Sequence, residues 1–193
     1  MNFLAHLYLS GSDEDLQFGN FIADFVKGSQ QLNYSAEVQS GIQLHRFIDE
    51  YTDSHPVVLK EKENLRADFR KYAGVVLDVY FDHFLANSWN QYHNQELRQY
   101  IDDVYAMLSS RYSTIPERGK PFHTYMMRED ILFRYQYLEG IDLVFQGMSR
   151  RSKFDSGMER GAIVLDNHFD RIEAAFQQFF PDLKQEAKLF RAR

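Results

Sequence analysis

The sequence predicts an all-α protein, built as a compact bundle of several helices in a single domain. Apolar residues recur at helical intervals over long segments, whereas the strict alternation that is typical of strands is scarce. Only four prolines occur, at positions 56, 116, 121 and 181, so long segments lack the residue that most often ends a helix. The chain has 193 residues, 44% of them hydrophobic, and neither a linker nor an internal repeat divides it. We therefore expect one helical domain over residues 1–193.

The first three predicted helices are bounded by turn residues. The first covers 13–27 and ends before Gly28, because glycine is favoured just past a helix end. The second covers 35–54, since the hydroxyl of Ser35 can accept a backbone N–H of the first turn and a proline follows the last residue closely. The third covers 57–71 and is rich in charged residues of both signs.

The fourth predicted helix, 72–91, is apolar almost all round, which predicts a buried helix. Asn94 is a suitable N-cap for the fifth, 94–111, and a glutamate follows it in the first turn, where a negative charge is favourable. The irregular stretch 112–121 is expected to be a connector. The last three predicted helices cover residues 123–136, 138–151 and 157–180.

Composition and motifs exclude several functional classes. The chain has no cysteine, which excludes a disulfide scaffold, a thiolate zinc site and a cysteine nucleophile. The net charge of −6 argues against binding to nucleic acid, and no apolar run approaches the roughly 20 residues that span a membrane. Motifs for nucleotide-dependent phosphoryl transfer and for serine hydrolysis are absent. We expect a cytoplasmic protein that binds neither nucleic acid nor membranes.

Two acidic residues in the predicted buried helix are the most informative feature of the sequence. Asp78 and Asp82 are four residues apart, so they share one stripe of the helix, among apolar neighbours. Two carboxylates in a dry environment repel each other and lose hydration, which is costly unless positive charge compensates them. A divalent cation would provide that compensation, and so would arginines or the N-termini of other helices. His83 is adjacent in sequence and could reach the same ion.

Further acids and histidines stand in apolar surroundings. His45 and Asp49 are also four residues apart, so they could ligate one metal, or the carboxylate could orient the imidazole. Asp24 is a lone carboxylate in an apolar turn, with an ion pair to Lys27 as the alternative, and His6 is either a ligand or a buried core histidine. Carboxylates and imidazoles without thiolates suit Mn²⁺, Mg²⁺, Fe²⁺ or Zn²⁺. Such sites commonly activate water for attack on a phosphoryl group or an amide.

Five short segments form a specific combination: residues 2–7, 19–28, 41–49, 52–53 and 77–85. In this order they resemble the acyl carrier protein phosphodiesterase family. The resemblance implies an all-helical fold distantly related to the HD-type metal-dependent phosphohydrolases. It also implies a Mn²⁺-dependent hydrolysis, with Mg²⁺ or Fe²⁺ as alternatives, that removes 4′-phosphopantetheine from the serine of holo-acyl carrier protein. The adjacent His-Asp pair of HD enzymes is absent, and only the reversed pair Asp82-His83 occurs.

The burial argument and the family segments together assign roles to nine residues. The expected metal ligands are Asp24, His45, Asp78 and Asp82. The residues expected to orient a ligand or to transfer protons are Asp49, His6 and His83. Lys27 and Arg46 are adjacent in sequence to these candidates, or nearly so, and are expected to neutralise the remaining charge of the substrate phosphate, with ordinary surface cations as the alternative.

The expected partner, an acyl carrier protein, is acidic as a class, and this chain is acidic too. Docking therefore requires a local basic patch. The densest such patch contains Arg150, Arg151 and Lys153. A second group contains Lys60, Lys62, Arg66, Arg70 and Lys71. Because this second group alternates with Glu61, Glu63 and Asp68, the pattern predicts a solvated, salt-bridged face.

Two other functions are compatible with these residues. One is a phosphohydrolase of the same fold that acts on a different phosphodiester or on a nucleotide. The other is a non-enzymatic interaction module in which the buried acids and histidines form an internal polar network. The aromatic content of 16% would also allow a homodimer interface, although no segment of the sequence locates one.

Overall fold

The computed structural model describes residues 1–192, and these residues contain helices but no strand, which confirms the all-α fold class. Within this range the α-helices, numbered in chain order, are α1 (Phe3–Leu9), α2 (Glu14–Ile22), α3 (Ala36–Ser54), α4 (Pro56–Phe69), α5 (Ala73–Asn87), α6 (Trp89–Tyr92), α7 (Leu97–Ser110), α8 (Lys120–Arg128), α9 (Ile131–Arg134), α10 (Leu138–Arg151), α11 (Gly161–Asn167) and α12 (Phe169–Arg191). Short 3-10 helices occur at Ala23–Phe25, Gly28–Asn33, Arg70–Tyr72, Tyr112–Thr114 and Met158–Arg160.

Two of the predicted helices match the structure closely. α3 begins after Ser35, whose hydroxyl accepts the backbone N–H of Val38 at 3.3 Å, as the capping pattern predicts. α10 has the predicted bounds. The cap predicted at Asn94 is wrong, because Glu96 precedes the first residue of α7 and makes no side-chain cap bond.

Three predicted helices are interrupted in the structure. The segment predicted as 72–91 is divided into α5 and α6 at Ser88, and the segment 123–136 is divided into α8 and α9. The segment 157–180 is divided near His168, after which α12 runs through Pro181 to Arg191. An interior proline costs roughly 3 kcal/mol in a helix. Phe179, Phe180 and Leu183 are fully buried around it, and burying such side chains contributes about 1.5–3 kcal/mol each, which offsets that cost.

The apolar opening segment forms a helix that the sequence analysis did not assign. α1 has only seven residues, and an isolated helix of that length is unstable in water. It is held instead by tertiary contacts, since it packs against α2, α5 and α12 and buries Leu4, Ala5 and Leu7 completely. The first predicted helix, 13–27, ends earlier than expected, as α2 stops at Ile22 and a 3-10 turn follows.

α5 lies at the centre of the protein, as its apolar character predicts. Its side chains from Val76 to Ala86 are buried with the single exception of Asp78, which is partly exposed. Phe81 and Phe84 pack on the phenylalanines of α12, with ring centroids 5.4 Å apart for the pair Phe81–Phe179. The buried side chains of the chain form one hydrophobic cluster that extends from Met1 to Ala187.

Two glycines bring α2 and α3 into direct backbone contact. A Cβ atom on Gly19 would lie 2.1 Å from the carbonyl oxygen of Val38, and one on Gly41 would lie 2.4 Å from that of Leu16. Only glycine allows the two helices to approach this closely. The contact sets the distance between the end of α2 and the middle of α3, where the candidate site lies.

No helix within residues 1–192 combines the length and the apolar character that crossing a lipid bilayer requires.

Candidate active site

Three segments that are distant in sequence bring imidazoles and carboxylates together. Asp49, on α3, bridges two histidines, with Oδ1 3.2 Å from Nε2 of His6 on α1 and Oδ2 3.2 Å from Nε2 of His45 one turn earlier on α3. Asp24, in the 3-10 turn after α2, places Oδ1 3.4 Å from the same Nε2 of His45. The two imidazole rings stack with centroids 4.0 Å apart. We call these four residues the His–Asp cluster.

Asn20 orients this cluster through three side-chain hydrogen bonds. Its Oδ1 accepts the Nδ1–H of His45 at 2.9 Å, and its Nδ2 donates to the backbone oxygen of His6 at 3.0 Å and to Oγ of Ser10 at 2.9 Å. The side chain is completely buried. Because Nδ1 of His45 carries the proton, Nε2 is left facing the carboxylates of Asp24 and Asp49.

Charge is unevenly distributed over the cluster. Burial and the positive charge of His45 together lower the pKa of His6 to about 4. Burial also disfavours the charged form of His45, but hydrogen bonds to Asp24 and Asp49 outweigh this and raise its pKa to about 9. The hydrogen bond from His45 lowers the pKa of Asp24, and bonds from both histidines overcome burial and lower that of Asp49. Without a bound cation, the cluster therefore contains a neutral His6, a protonated His45 and two carboxylates at neutral pH.

The cluster can accommodate a divalent cation. One ligand atom from each of His6, His45 and Asp49 lies within 4.8 Å of the others. Ligand atoms around one tetrahedral ion are separated by roughly 3.4 Å, so small side-chain movements would bring these atoms to coordination distance. The bond from His45 Nδ1 to Asn20 is the outer contact that metal-bound histidines usually make. The donor set, two imidazoles with carboxylates, suits Mn²⁺, Fe²⁺ or Zn²⁺.

The cluster opens into a cavity of about 350 Å³. All four cluster residues line it, and the remaining walls are formed by Met1, Asn2, Phe3, Asp53, Val75, Asp78 and Met148. His6 and His45 are buried at its base, whereas the side chains of Asp24 and Asp49 are 58% and 46% exposed. Solvent and a ligand can therefore reach the carboxylates while the imidazoles stay in place.

The two acids of α5 have different partners. Asp82 is completely buried, and its carboxylate accepts the backbone N–H groups of Leu4 at 2.8 Å, Ala5 at 3.2 Å and Asn2 at 3.3 Å. Asp78 lines the cavity and accepts the α-ammonium group of Met1 at 3.0 Å. Of the compensations considered from sequence, the N-terminus of another helix is thus the one that Asp82 uses.

His83 lies away from the cluster and has both ring nitrogens occupied. Nδ1 donates to the backbone oxygen of Tyr135 at 2.7 Å, and Nε2 is 3.0 Å from Nδ2 of Asn87. The side chain is buried, and this burial lowers its pKa. These contacts describe a neutral histidine that joins α5 to the turn after α9.

The cations predicted to bind phosphate are both exposed. Lys27 follows the 3-10 turn that carries Asp24, and Arg46 donates to Oε1 of Gln31 at 3.1 Å. The side chains that line the cavity include neither of them. Arg150, Arg151 and Lys153 are exposed around the C-terminal end of α10, where the two arginines line a different groove.

Asn20 is a residue of the candidate site that was not predicted from the sequence. It lies within the segment 19–28, four residues before Asp24, and an amide among Phe18, Phe21 and Ile22 is as unusual as the lone carboxylate that follows it. A search for every buried polar residue, not only for acids and histidines, would have found it.

Comparisons with known proteins agree with the resemblance seen in the sequence. A family model described as "Acyl carrier protein phosphodiesterase" matches residues 1–183. Proteins named acyl carrier protein phosphodiesterase from Escherichia coli O6:H1 and from Photorhabdus laumondii are 36% and 32% identical to this chain. Each match covers 97% of this chain, and covers 97% and 96% of the respective relative. No solved structure matches the chain, so the relation to the HD-type phosphohydrolases stays a prediction.

Proposed function

The chain belongs to the acyl carrier protein phosphodiesterase family, and from this premise we propose that it hydrolyses the phosphodiester between 4′-phosphopantetheine and the serine of holo-acyl carrier protein. The observation that carries the proposal is the His–Asp cluster at the base of an open cavity. Water adds to phosphorus, the bond to the serine oxygen breaks, and the proton lost by the water is balanced by the one gained by the serine. The products are 4′-phosphopantetheine and the apo-carrier.

His6, His45 and Asp49 are the residues that would hold a divalent cation, with Asp24 beside them at the more exposed edge. Mn²⁺ is the ion we propose, in line with the donor set. Such an ion, when bound, supplies Lewis acidity toward the phosphoryl oxygens and makes water a better nucleophile near neutral pH.

The residues of the chain contribute orientation and proton transfer. Asp49 holds the two imidazoles in a stacked arrangement, and Asn20 keeps Nε2 of His45 directed at the carboxylates. Asp24 is the most exposed member of the cluster, with its carboxylate at the open edge of the cavity. We assign to Asp24 the acceptance of the proton from the attacking water. Lys27 and Arg46 are close in sequence to Asp24 and His45, and we propose that they attract the substrate phosphate from outside the cavity.

The test is mass spectrometry of holo-acyl carrier protein after incubation with the purified chain, with Mn²⁺ or with a chelator. We expect loss of the phosphopantetheine mass with Mn²⁺ and an unchanged mass with the chelator. The same incubation with a nucleotide phosphodiester as the substrate tests the alternative phosphohydrolase function. An unchanged carrier mass in the presence of a folded, Mn²⁺-loaded protein would overturn the proposed substrate.

Two variants locate the activity. Asp49→Asn keeps the size of the side chain but removes the charge between the imidazoles, so we expect it to abolish the loss of mass. Asp166→Asn is the matched control, because Asp166 is exposed on α11 and lies outside the cavity. Equal activity of both variants would show that the cluster is not the site.

A further inference from the structure

Two acidic residues of α4 form ion pairs with arginines that are distant in sequence. Glu61 is buried and forms an ion pair with Arg171 of α12. Asp68 faces Arg160, with Oδ1 3.9 Å from its Nη1, and its backbone oxygen also accepts a hydrogen bond from that guanidinium. Glu61 and Asp68 therefore do not neutralise the neighbouring lysines and arginines, whereas Glu63 pairs with Arg66 as the sequence alternation predicts.

Four cations from α4 and the turn after it line one open cavity. Lys62, Arg66, Arg70 and Lys71 surround a space of about 660 Å³, and we call these four residues the α4 basic surface. This space shares three wall residues with the cavity of the His–Asp cluster, namely Asp53, Val75 and Asp78. The two cavities are thus adjacent, and a ligand that occupies one reaches the rim of the other.

Acidic side chains pair with two of the four cations of the α4 basic surface, Lys62 and Arg66. Asp53 is paired with Lys62 at 2.5 Å, and Asp78 with the ammonium group of Met1. Arg66 forms only an exposed pair with Glu63, and such pairs contribute little. Within residues 1–192, the side chain of Arg70 forms no hydrogen bond or ion pair, and its backbone has a left-handed φ of 51°. A strained, unpaired arginine at a cavity rim is typical of a binding surface.

Exposed apolar side chains accompany these cations. Val75 is 38% and Phe154 is 64% exposed, and Nζ of Lys71 lies 3.8 Å from the centroid of the Phe154 ring. A small free anion would need convergent cations but no exposed apolar neighbours. Cations spread over successive turns with apolar side chains between them are suited to the surface of another protein.

We propose that the α4 basic surface is the docking site for the acidic carrier protein, whose phosphorylated arm then enters the adjacent cavity. This inference rests on the proposed function. The chain as a whole carries a net charge of −6 and repels an acidic partner, so productive encounter depends on a local positive surface beside the site. Arg150 and Arg151, the docking residues expected from sequence, line a separate groove in which Arg128 and Arg134 stand among three acids, Glu129, Glu139 and Asp142.

Binding of fluorescently labelled apo-carrier, measured by anisotropy, tests the docking site without turnover. In the variant R66Q/R70Q/K71Q we expect the Kd to rise about tenfold or more, with a weaker dependence on salt, because three cations at the interface are lost. The matched control is R150Q/R151Q/K153Q, which removes the same charge, and its Kd should stay close to that of the unmodified chain. Circular dichroism and thermal unfolding establish that both variants are folded.

Three outcomes would overturn the proposal. If only the control variant binds weakly, docking takes place at the C-terminal end of α10, and if both variants lose affinity equally, general electrostatics explains binding. The proposed function can fail separately. If the carrier binds to the unmodified chain, binds weakly to R66Q/R70Q/K71Q and yet keeps its phosphopantetheine mass, the docking site is supported and the proposed substrate is wrong. If R66Q/R70Q/K71Q hydrolyses the holo-carrier with an unchanged KM, the docking proposal is wrong and the proposed function stands.

Discussion

α3 and α5 carry the same sequence feature and use it differently. On each helix two polar residues stand four apart among apolar neighbours, His45 with Asp49 on α3 and Asp78 with Asp82 on α5. Asp82 accepts three backbone N–H groups, which leaves its carboxylate little capacity for another ligand. Asp49 faces only imidazoles, and those side chains converge on a space that a cation can fill. The chemical type of the partner therefore decides what such a pair of polar residues does.

The two pairs are also connected through α1. Asp82 binds the N-terminal backbone of α1, and this helix carries His6 into contact with Asp49. Backbone N–H groups at a helix N-terminus have no partner within the helix, so an acid from elsewhere can anchor it. The acid of α5 thus supports the site that the acid of α3 helps to form.

Removing a member of the α3 pair should have the largest effect. His45→Ala deletes an imidazole that faces two carboxylates, and we expect kcat/KM for holo-carrier to fall roughly 10³-fold or more, about 4 kcal/mol in transition-state stabilisation. Calorimetric titration should also show a lower affinity of this variant for Mn²⁺. His168→Ala, at an exposed histidine, is the matched control. An active His45→Ala variant would contradict the comparison, since α3 would then be no more functional than α5.

Substitution in the α5 pair should act on stability first. In Asp82→Asn an NH2 group replaces one of the two carboxylate oxygens. This group cannot accept a hydrogen bond from a backbone N–H, so buried donors of α1 lose a partner. An unsatisfied buried donor costs about 1–3 kcal/mol, and we expect the free energy of unfolding in urea to fall by about 3 kcal/mol. The folded fraction should still bind Mn²⁺. Unchanged stability combined with lost Mn²⁺ binding would instead make Asp82 a ligand, as the sequence analysis expected.

How far sequence reasoning reaches is visible in the same two helices. The cap at Ser35, the bounds of α3 and the burial of α5 depend on residues within a few turns, and all three were predicted correctly. All four members of the His–Asp cluster were among the candidates as well, because polar residues in apolar segments are conspicuous.

The partners of these residues could not be predicted, because they lie far away in the chain. Asp82 and Leu4 are separated by 78 positions, and Glu61 and Arg171 by 110. Local periodicity gives the face of a helix but not the element that covers it, so the anchoring of α1 and the separation of charge on α4 emerge only in the folded chain. The break between α5 and α6, and the helix α1 itself, depend on tertiary packing in the same way.

Asn20 is expected to have an intermediate effect, because it touches the α3 pair without belonging to it. Asn20→Ala removes the acceptor for Nδ1–H of His45, and loss of such outer contacts typically lowers metal affinity about 10- to 100-fold. Asn20→Asp keeps the acceptor oxygen, so its Mn²⁺ affinity should remain close to that of the unmodified chain. Both variants lose the Nδ2 bonds to His6 and Ser10, and a purely structural residue would therefore weaken Mn²⁺ binding equally in the two.

The smallest effect is expected at His83, adjacent to Asp82 on α5, and it appears in the pH dependence of stability. Burial lowers the pKa of His83 below 6.5, so the unfolded chain takes up the proton first as the pH falls. The stability that neutral His83 contributes is therefore present above about pH 6.5 and lost below it, by at most about 1.4 kcal/mol per pH unit. His83→Gln should give a shallower decline in unfolding free energy between about pH 7 and pH 5 than the unmodified chain, measured in urea. Because Tyr135 and Asn87 already occupy both ring nitrogens, kcat/KM at neutral pH should be retained, whereas its loss with an unchanged pH slope would place His83 in catalysis.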